Sequence, residues 1–224
     1  MAEQLILDLP VRTALGREDF FVSAANAIAV ERLDKPESWP NAKLILAGPR
    51  GAGKTHLAHV WAGAQGGRVI AASGLNGLEP TSVDTPLVID DADKTSERTE
   101  ETLFHLHNHM GHSGLALLLT ARTPPTQLAF RLPDLASRLQ ASDVVRINAP
   151  DDALLAAMLV KLFTDRQLDV RPSLVPWLVE RSERSFAAIQ NLVAALDKAA
   201  LSEKRAITRN LAAVVLDKLD EDAR

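Results

Sequence analysis

Hydrophobic residues in the first 150 positions form short runs, separated by stretches whose apolar positions recur every three or four residues. Near-continuous apolar runs are typical of strands buried on both faces of a parallel sheet, and the intervening spacing is typical of helices that cover it. The pattern predicts an α/β fold with a parallel five-stranded sheet flanked by helices. The predicted strands are Lys43–Ala47, Arg68–Ala72, Leu87–Asp90, Leu115–Thr120 and Val144–Ile147, and the clearest helices are Lys54–Gln65 and Ser96–Met110.

The pattern changes after Pro150, where helical periodicity continues without strand-like runs. Asp151 and Asp152 place carboxylates at a helix start, and Pro172 is predicted to occupy the first position of the next helix. We expect an N-terminal segment at 1–12, an α/β domain at 13–150 and a small all-helical domain at 151–224. The predicted helices are Asp151–Thr164, Pro172–Arg181, Phe186–Ser202 and Thr208–Leu219.

Composition excludes several classes of protein. Hydrophobic residues make up 46% of the 224, which is enough for a sizeable core. The absence of cysteine excludes disulfides, thiol catalysis and cysteine-ligated zinc. The apolar run Leu115–Thr120 is too short to span a bilayer, and the N-terminus does not resemble a signal peptide. These features predict a soluble, cytoplasmic protein with no membrane partner.

Charge disfavours a protein whose main role is to bind nucleic acid. The formal net charge is −4 and the pI is near 5.9. Residues 1–150 carry 14 basic and 17 acidic side chains, and residues 151–224 carry 11 and 12. Neither part has the basic excess of a DNA-binding domain, so we expect DNA contact to be indirect at most.

A glycine-rich loop at 48–55 follows the first predicted strand and opens a helix. Glycines allow backbone N–H groups to turn towards phosphate oxygens, and the helix adds its positive end. Lys54 is expected to reach the β- and γ-phosphates and Thr55 to hold Mg²⁺. A chance glycine-rich turn is the alternative, but the strand–loop–helix context favours a nucleotide site. The predicted nucleotide-binding residues are Gly48, Pro49, Arg50, Gly51, Ala52, Gly53, Lys54, Thr55 and His56.

Polar groups follow two further predicted strands. Asp90 is expected to bind Mg²⁺ through water, and Asp91 to activate the attacking water. Alternatively, the two carboxylates cap the next helix. Because Asp91 is shorter than the glutamate usual there, we expect slow hydrolysis. Thr120 is a candidate contact for the γ-phosphate or the attacking water, although any strand can end in threonine.

Two other features are ambiguous on residue type alone. Arg138 precedes the last predicted strand, where an ordinary surface salt bridge is the simpler interpretation. His105, His109 and His112 share one helical face at a spacing close to that of metal ligands, but no carboxylate completes the set. Solvated or packed histidines are the commoner case.

The segment Gln4–Leu9 (QLILDL) stands ahead of the globular pattern. Leu5, Leu7 and Leu9 alternate along it, as in an edge strand packed on its own domain. The alternative is an extended peptide that docks apolar side chains in a pocket of a partner.

In combination, these motifs resemble the AAA+ ATPases and, more narrowly, the replication initiator family DnaA. The resemblance implies ATP or ADP with Mg²⁺ as the bound ligand, and Phe20, Phe21 and Val22 with Asn26 resemble the family's segment beside the adenine. It rests on the segments Gly53–Leu57, Ile89–Asp93, Thr120–Pro125 and Ala136–Leu139.

The pattern departs from DnaA at both ends. No helix-turn-helix domain follows the predicted helical lid, and QLILDL, similar to a sliding-clamp-binding motif, stands where DnaA has a helicase-interaction domain. This arrangement of motifs resembles that of the Hda family. Members of that family, when loaded on the clamp, cause DnaA to hydrolyse its bound ATP. The resemblance implies two partners, the β sliding clamp and DnaA, and makes Arg138 an arginine finger acting in trans. The implied clamp-binding residues are Gln4, Leu5, Leu7 and Leu9.

A further departure concerns the lid arginine of the family, which aligns with Ala187. Either Arg184 substitutes for it, or the protein senses the γ-phosphate poorly. Three functions stay open: a regulatory adaptor, an ATPase motor such as a helicase loader, and a DNA-binding initiator, of which the first is favoured. A homo-oligomer is also possible.

Overall fold

The computed structural model describes residues 22–203 and 205–222, so the predictions on Gln4–Leu9, Phe20 and Phe21 lie outside the described residues. The predicted alternation of strands and helices is confirmed. The strands are β1 (Lys43–Ala47), β2 (Arg68–Ala71), β3 (Leu87–Asp90), β4 (Leu117–Ala121) and β5 (Asp143–Arg146). The helices are α1 (Ala27–Leu33), α2 (Lys54–Ala64), α3 (Glu97–His112), α4 (Pro133–Gln140), α5 (Asp152–Asp165), α6 (Leu174–Arg181), α7 (Phe186–Glu203) and α8 (Arg209–Asp222).

All five strands are parallel and lie in the order β2-β3-β4-β1-β5. Every residue of β1 and β4 is buried, because helices cover both faces of the sheet. Successive side chains of a strand point to opposite faces. Leu44 and Leu46 accordingly pack with α1 and α2, whereas Ile45 packs with α3 and α4. The sheet thus places the carboxyl ends of β1, β3 and β4 along one edge.

Helices α1 and α4 were not predicted from the sequence. Both are short, at seven and eight residues, and offer too few turns for a clear apolar period. Helix α4 begins with Pro133 and buries Leu135 and Leu139, which are four residues apart. This pair anchors the helix that carries Arg138.

Two tryptophans lie in the core beneath α1. Trp39 and Trp61 are buried and stack with ring centroids 5.1 Å apart. The indole N–H of Trp39 donates a hydrogen bond to the backbone oxygen of Arg32, 2.7 Å away. Stacking of this kind stabilises the core beyond the burial of apolar area alone.

The last four helices pack around their own apolar core, which includes Leu159, Leu178 and Leu192. Asp151 caps α5, since its carboxylate accepts a hydrogen bond from Leu154 N at 2.8 Å. The placement of Pro172 at the first position of α6 was wrong. Leu174 N donates to Arg171 O at 2.8 Å, and this turn delays the helix start to Leu174.

The predicted domain boundary at residue 150 falls between the end of β5 and the start of α5, and it stays a prediction. Within the part of the chain that the structure describes, no helix is both long and apolar enough to cross a membrane.

Candidate functional site

Residues 48–53 of the glycine-rich loop join the carboxyl end of β1 to α2. Gly48 N donates to Ala121 O at 3.1 Å, which attaches the loop to β4. Gly51 and Gly53 have φ angles of +76° and +90°, a region that side chains other than glycine rarely adopt. A Cβ on Gly48 would lie 2.3 Å from Ile147 O. The loop therefore requires glycine at three positions, as expected for a backbone that folds around a phosphate.

Lys54 is the first residue of α2, and its side chain is buried. Its Nζ donates to the backbone oxygens of Gly48 at 2.8 Å and Pro49 at 2.9 Å, which hold the ammonium group against the loop. Burial lowers the pKa of Lys54, and nearby carboxylates, Asp91 most of all, oppose that shift. A cation held in a poorly solvated site interacts strongly with an anionic ligand. The site fits a polyphosphate.

Three predicted residues are linked at the carboxyl ends of β3 and β4. Thr55 Oγ1 donates to Asp90 Oδ2 at 2.9 Å, and Thr120 Oγ1 donates to Asp90 Oδ1 at 2.6 Å. Hydroxyl and carboxylate oxygens are the hard donors that Mg²⁺ prefers. These residues fit a Mg²⁺ site, with Thr55 and Asp90 as the groups that would hold the ion.

Thr120 is fully buried and uses its hydroxyl twice, since the oxygen also accepts a hydrogen bond from Asp91 N at 2.9 Å. In this arrangement Thr120 positions the carboxylate of Asp90. Its contact with the γ-phosphate or the attacking water stays a prediction.

Asp91 directly follows β3 and has the left-handed conformation, with φ +56°. Its Oδ2 lies 2.5 Å from Lys94 Nζ, so an ion pair engages one oxygen of the predicted water-activating group. Asp93 accepts a hydrogen bond from Arg122 N at 3.1 Å and thereby ties the end of β3 to the segment after β4. Sequence reasoning missed the roles of Lys94, Asp93 and Arg122. The third carboxylate of the Ile89–Asp93 segment, Asp93, was the one feature of the sequence that could have indicated its contact with Arg122.

The start of α7 contacts the glycine-rich loop directly. Phe186 N donates to Gly51 O at 3.0 Å. A Cβ on Gly51 would lie 2.2 Å from Ser185 Cβ, and one on Gly53 would lie 3.0 Å from Phe186 Cε2. The absence of side chains at Gly51 and Gly53 therefore allows the start of the lid helix α7 to pack against the loop. The predicted lid position, Ala187, is on this first turn and is not buried.

Arg184, the candidate substitute for the lid arginine, is turned towards α5 in this structure. Its Nη2 lies 2.7 Å from Asp152 Oδ1, and both side chains are more than half exposed.

Arg138 lies apart from the glycine-rich loop. It is exposed on α4, and its guanidinium stacks 5.2 Å from the ring centroid of Phe104. It makes no ion pair within the described residues, so the simple surface salt bridge does not form. Since Arg138 neighbours the start of β1 and the loop follows its end, about 13 Å of strand separates the two.

The other candidates have local explanations. His109 and His112 each place a ring nitrogen 2.8 Å from a backbone oxygen, of Val83 and Asn108 respectively. In the described ranges no group of three or more histidines and carboxylates is arranged to hold a metal ion. Val22 is exposed and Asn26 is buried, where its Oδ1 accepts a hydrogen bond from Ser23 N; their role beside an adenine stays a prediction.

We expect Lys54→Ala to weaken Mg²⁺-nucleotide binding about tenfold or more, because a charge-assisted contact contributes about 1.5–3 kcal/mol. Isothermal titration calorimetry with ADP and ATP measures the change. The matched control is Lys35→Ala, which removes an exposed lysine that pairs with Glu31 on α1. Equal affinities for a folded Lys54→Ala variant and the control would contradict the assignment of the loop.

Known proteins resemble both parts of the chain. The domain III structure of the Thermotoga maritima replication initiation protein DnaA is 19% identical with a TM-score of 0.79, over 94% of this chain and 98% of that one. AMPPCP-bound DnaA from Aquifex aeolicus is 22% identical with a TM-score of 0.65, over 79% and 63%. A single-residue variant of Thermotoga maritima RuvB is 17% identical with a TM-score of 0.67, over 87% and 68%. These likenesses show the fold.

The helical domain carries the more specific match. Residues 152–216 match the family model described as the lid domain of Hda. This match makes the helical domain similar to the Hda lid, and the sheet order together with the likeness to domain III of DnaA shows that the chain has the AAA+ fold with a helical lid.

Proposed function

We propose that this protein is a nucleotide-bound adaptor that, on the β sliding clamp, stimulates hydrolysis of the ATP held by DnaA and so limits re-initiation of replication in the cytoplasm. The observation that carries the proposal is the state of Arg138. Its guanidinium is exposed and free of ion pairs within the described residues, at the end of the sheet away from the chain's own loop. A cation so placed is available to a nucleotide on another subunit.

The chain's own nucleotide has a structural part in this proposal. Lys54, Thr55 and Asp90 would hold ATP or ADP with Mg²⁺, and the hydrogen bond between Phe186 N and Gly51 O connects that site to the lid. Occupation of the loop would then stabilise one position of the lid by mass action.

Two features indicate that the chain hydrolyses its own nucleotide slowly. The carboxylate of Asp91 is engaged by Lys94, which reduces its availability as a base towards water. The uncharged Ala187 stands where the family supplies an arginine to the γ-phosphate. Slow turnover suits an adaptor, whose effect depends on the ATP of its partner.

We expect Arg184→Ala to change the affinity for ATP less than about fivefold, because an exposed ion pair such as that with Asp152 contributes about 1 kcal/mol or less. Calorimetry with ATP and ADP gives the two affinities, with Arg205→Ala as a control for loss of another exposed, ion-paired lid arginine. A selective loss of ATP affinity would show instead that Arg184 serves as the lid arginine.

A motor or helicase loader is the second candidate. It is favoured by the linked set Thr55, Asp90 and Thr120, which is assembled within this one chain as hydrolysis in cis requires.

Steady-state ATP hydrolysis separates the two functions. For an adaptor we expect slow turnover by the chain alone and a large increase when DnaA–ATP and clamp loaded on DNA are added together. Rapid turnover by the chain alone, with no effect of clamp or DnaA, would contradict the adaptor and favour the motor.

A further inference from the structure

A cavity of about 140 Å³ lies at the end of the sheet where β1 begins, between α3 and α4. Lys43 from β1, His107 from α3 and Arg138 from α4 line it, together with small groups that include Asn41 and Ser142. Among the described residues that line it there is no carboxylate. Within that part of the chain, the cavity therefore brings together nitrogen groups from three elements without a counter-charge.

Lys43 is 5% exposed, which is unusual for a lysine without an ion-pair partner in the described chain. Its Nζ is 3.4 Å from Asn41 O, a long hydrogen bond. A Cβ on Gly111 would lie 2.6 Å from this Nζ, so the glycine in α3 provides the space that the ammonium group occupies. Burial, and then the charge of Arg138, lowers the pKa of Lys43.

His107 is 6% exposed, and neither ring nitrogen has a hydrogen-bond partner among the described residues. Burial lowers its pKa to about 4, Lys43 and Arg138 lower it further, and the side chain of Asn108 opposes the shift as a polar neighbour whose geometry falls short of a hydrogen bond to either ring nitrogen. The ring is therefore neutral at pH 7 and offers one N–H donor. A buried donor without a partner is destabilising, which calls for a ligand at this position.

Arg138 completes the lining. Phe104 contacts one face of its guanidinium, which leaves the edge, with its N–H donors, free of ion pairs within the described ranges. The positive charge of Arg138 repels that of Lys43 and adds to burial, the larger cause, in lowering the pKa of Lys43. An anion in the cavity would offset this repulsion.

We propose that Lys43, His107 and Arg138 form a second oxyanion site, distinct from the glycine-rich loop, that takes a tetrahedral phosphate group. Donors from three separate elements suit an ion whose oxygens point in several directions. The phosphate is either free inorganic phosphate or the terminal phosphate of a nucleotide bound to a partner, and the second source rests on the function proposed above.

The first arm of the test uses inorganic phosphate and the ring nitrogens of His107, observed by NMR and assigned with His107→Gln. We expect saturable shifts and a pKa of His107 above about 4 when phosphate is bound. Lys43→Met is expected to weaken the binding about tenfold or more. Lys35→Met, the same change at an exposed site on the segment after α1, is expected to leave the shifts unaltered. Should Lys43→Met lose the fold, Gly111→Ala displaces the same ammonium group without removing a charge.

The second arm measures hydrolysis of DnaA-bound ATP with clamp-loaded wild type, Lys43→Met or Lys35→Met. Phosphate shifts at His107 that Lys43→Met abolishes support the site, with the free ion as its ligand. If Lys43→Met slows hydrolysis, Lys35→Met does not, and free phosphate causes no shift, the ligand of the site is the terminal phosphate of a nucleotide bound to a partner. The proposed site is overturned if free phosphate causes no shift at His107 and Lys43→Met does not slow hydrolysis of DnaA-bound ATP. If the wild type itself fails to stimulate DnaA, the proposed function fails, and the phosphate arm alone decides on the cavity.

Discussion

Replacement of Arg138 by alanine is expected to abolish stimulation of DnaA-bound ATP hydrolysis while the fold, nucleotide binding and clamp binding persist. The guanidinium is exposed on α4, held over Phe104 and without an ion pair in the described chain, so its removal breaks no ion pair there and loses the cation–π contact with Phe104. In trans it would meet the charge that develops on the transferred phosphoryl group. Arginine fingers supplied by a second protein increase hydrolysis by about 10³–10⁵, and we expect a loss of that order.

The matched control is Arg181→Ala. Arg181 is also an exposed arginine stacked on an aromatic ring, with its guanidinium carbon 4.5 Å from the ring centroid of Trp177, but it lies on α6 in the lid. We expect this variant to stimulate DnaA as the wild type does. If the Arg138 and Arg181 variants stimulate hydrolysis of DnaA-bound ATP equally, Arg138 has no role in that hydrolysis.

The second large effect concerns the N-terminal segment, which lies outside the described residues. Replacement of Leu5 and Leu9 together by alanine is expected to abolish binding to the sliding clamp. Burial of two leucines contributes about 3–6 kcal/mol before ordering costs, which is most of the affinity of a short peptide. Surface plasmon resonance on immobilised clamp measures the loss.

Ile6→Ala is the control, because in an extended peptide Ile6 points away from the side of Leu5 and Leu9. The Tm distinguishes the two interpretations of the segment. A docking peptide leaves the Tm of the double variant near that of the wild type. A fall of many degrees, with or without loss of clamp binding, would instead indicate an edge strand packed on its own domain.

The central strands were predictable because burial on both faces leaves a continuous apolar run. β1 and β3 have the predicted bounds, whereas β4 begins at Leu117, two residues later than expected. Leu115 and Ala116 precede the strand, since Leu115 N donates to Met110 O at the end of α3. Such a contact depends on the packing of α3, and local pattern cannot reveal it.

The glycine-rich loop was predictable from spacing along the chain, since Lys54 and Thr55 follow the glycines directly. The cavity beside Arg138 was not. Its residues come from three separate elements, and the histidine pattern drew attention to His105, His109 and His112. His107 lies on another face of α3, because two residues turn a helix through about 200°. Only the fold places it beside Lys43 and Arg138.

The most direct measurement of the central claim determines whose nucleotide is hydrolysed. DnaA is loaded with γ-³²P-ATP and this chain with unlabelled ADP, and release of labelled phosphate is followed in single turnover with clamp loaded on DNA. We expect release to accelerate with the wild type, and to stay at the rate of DnaA alone when the clamp is omitted or Arg138→Ala is used. Release that is unchanged by the clamp-loaded wild type would contradict action in trans on the ATP of DnaA.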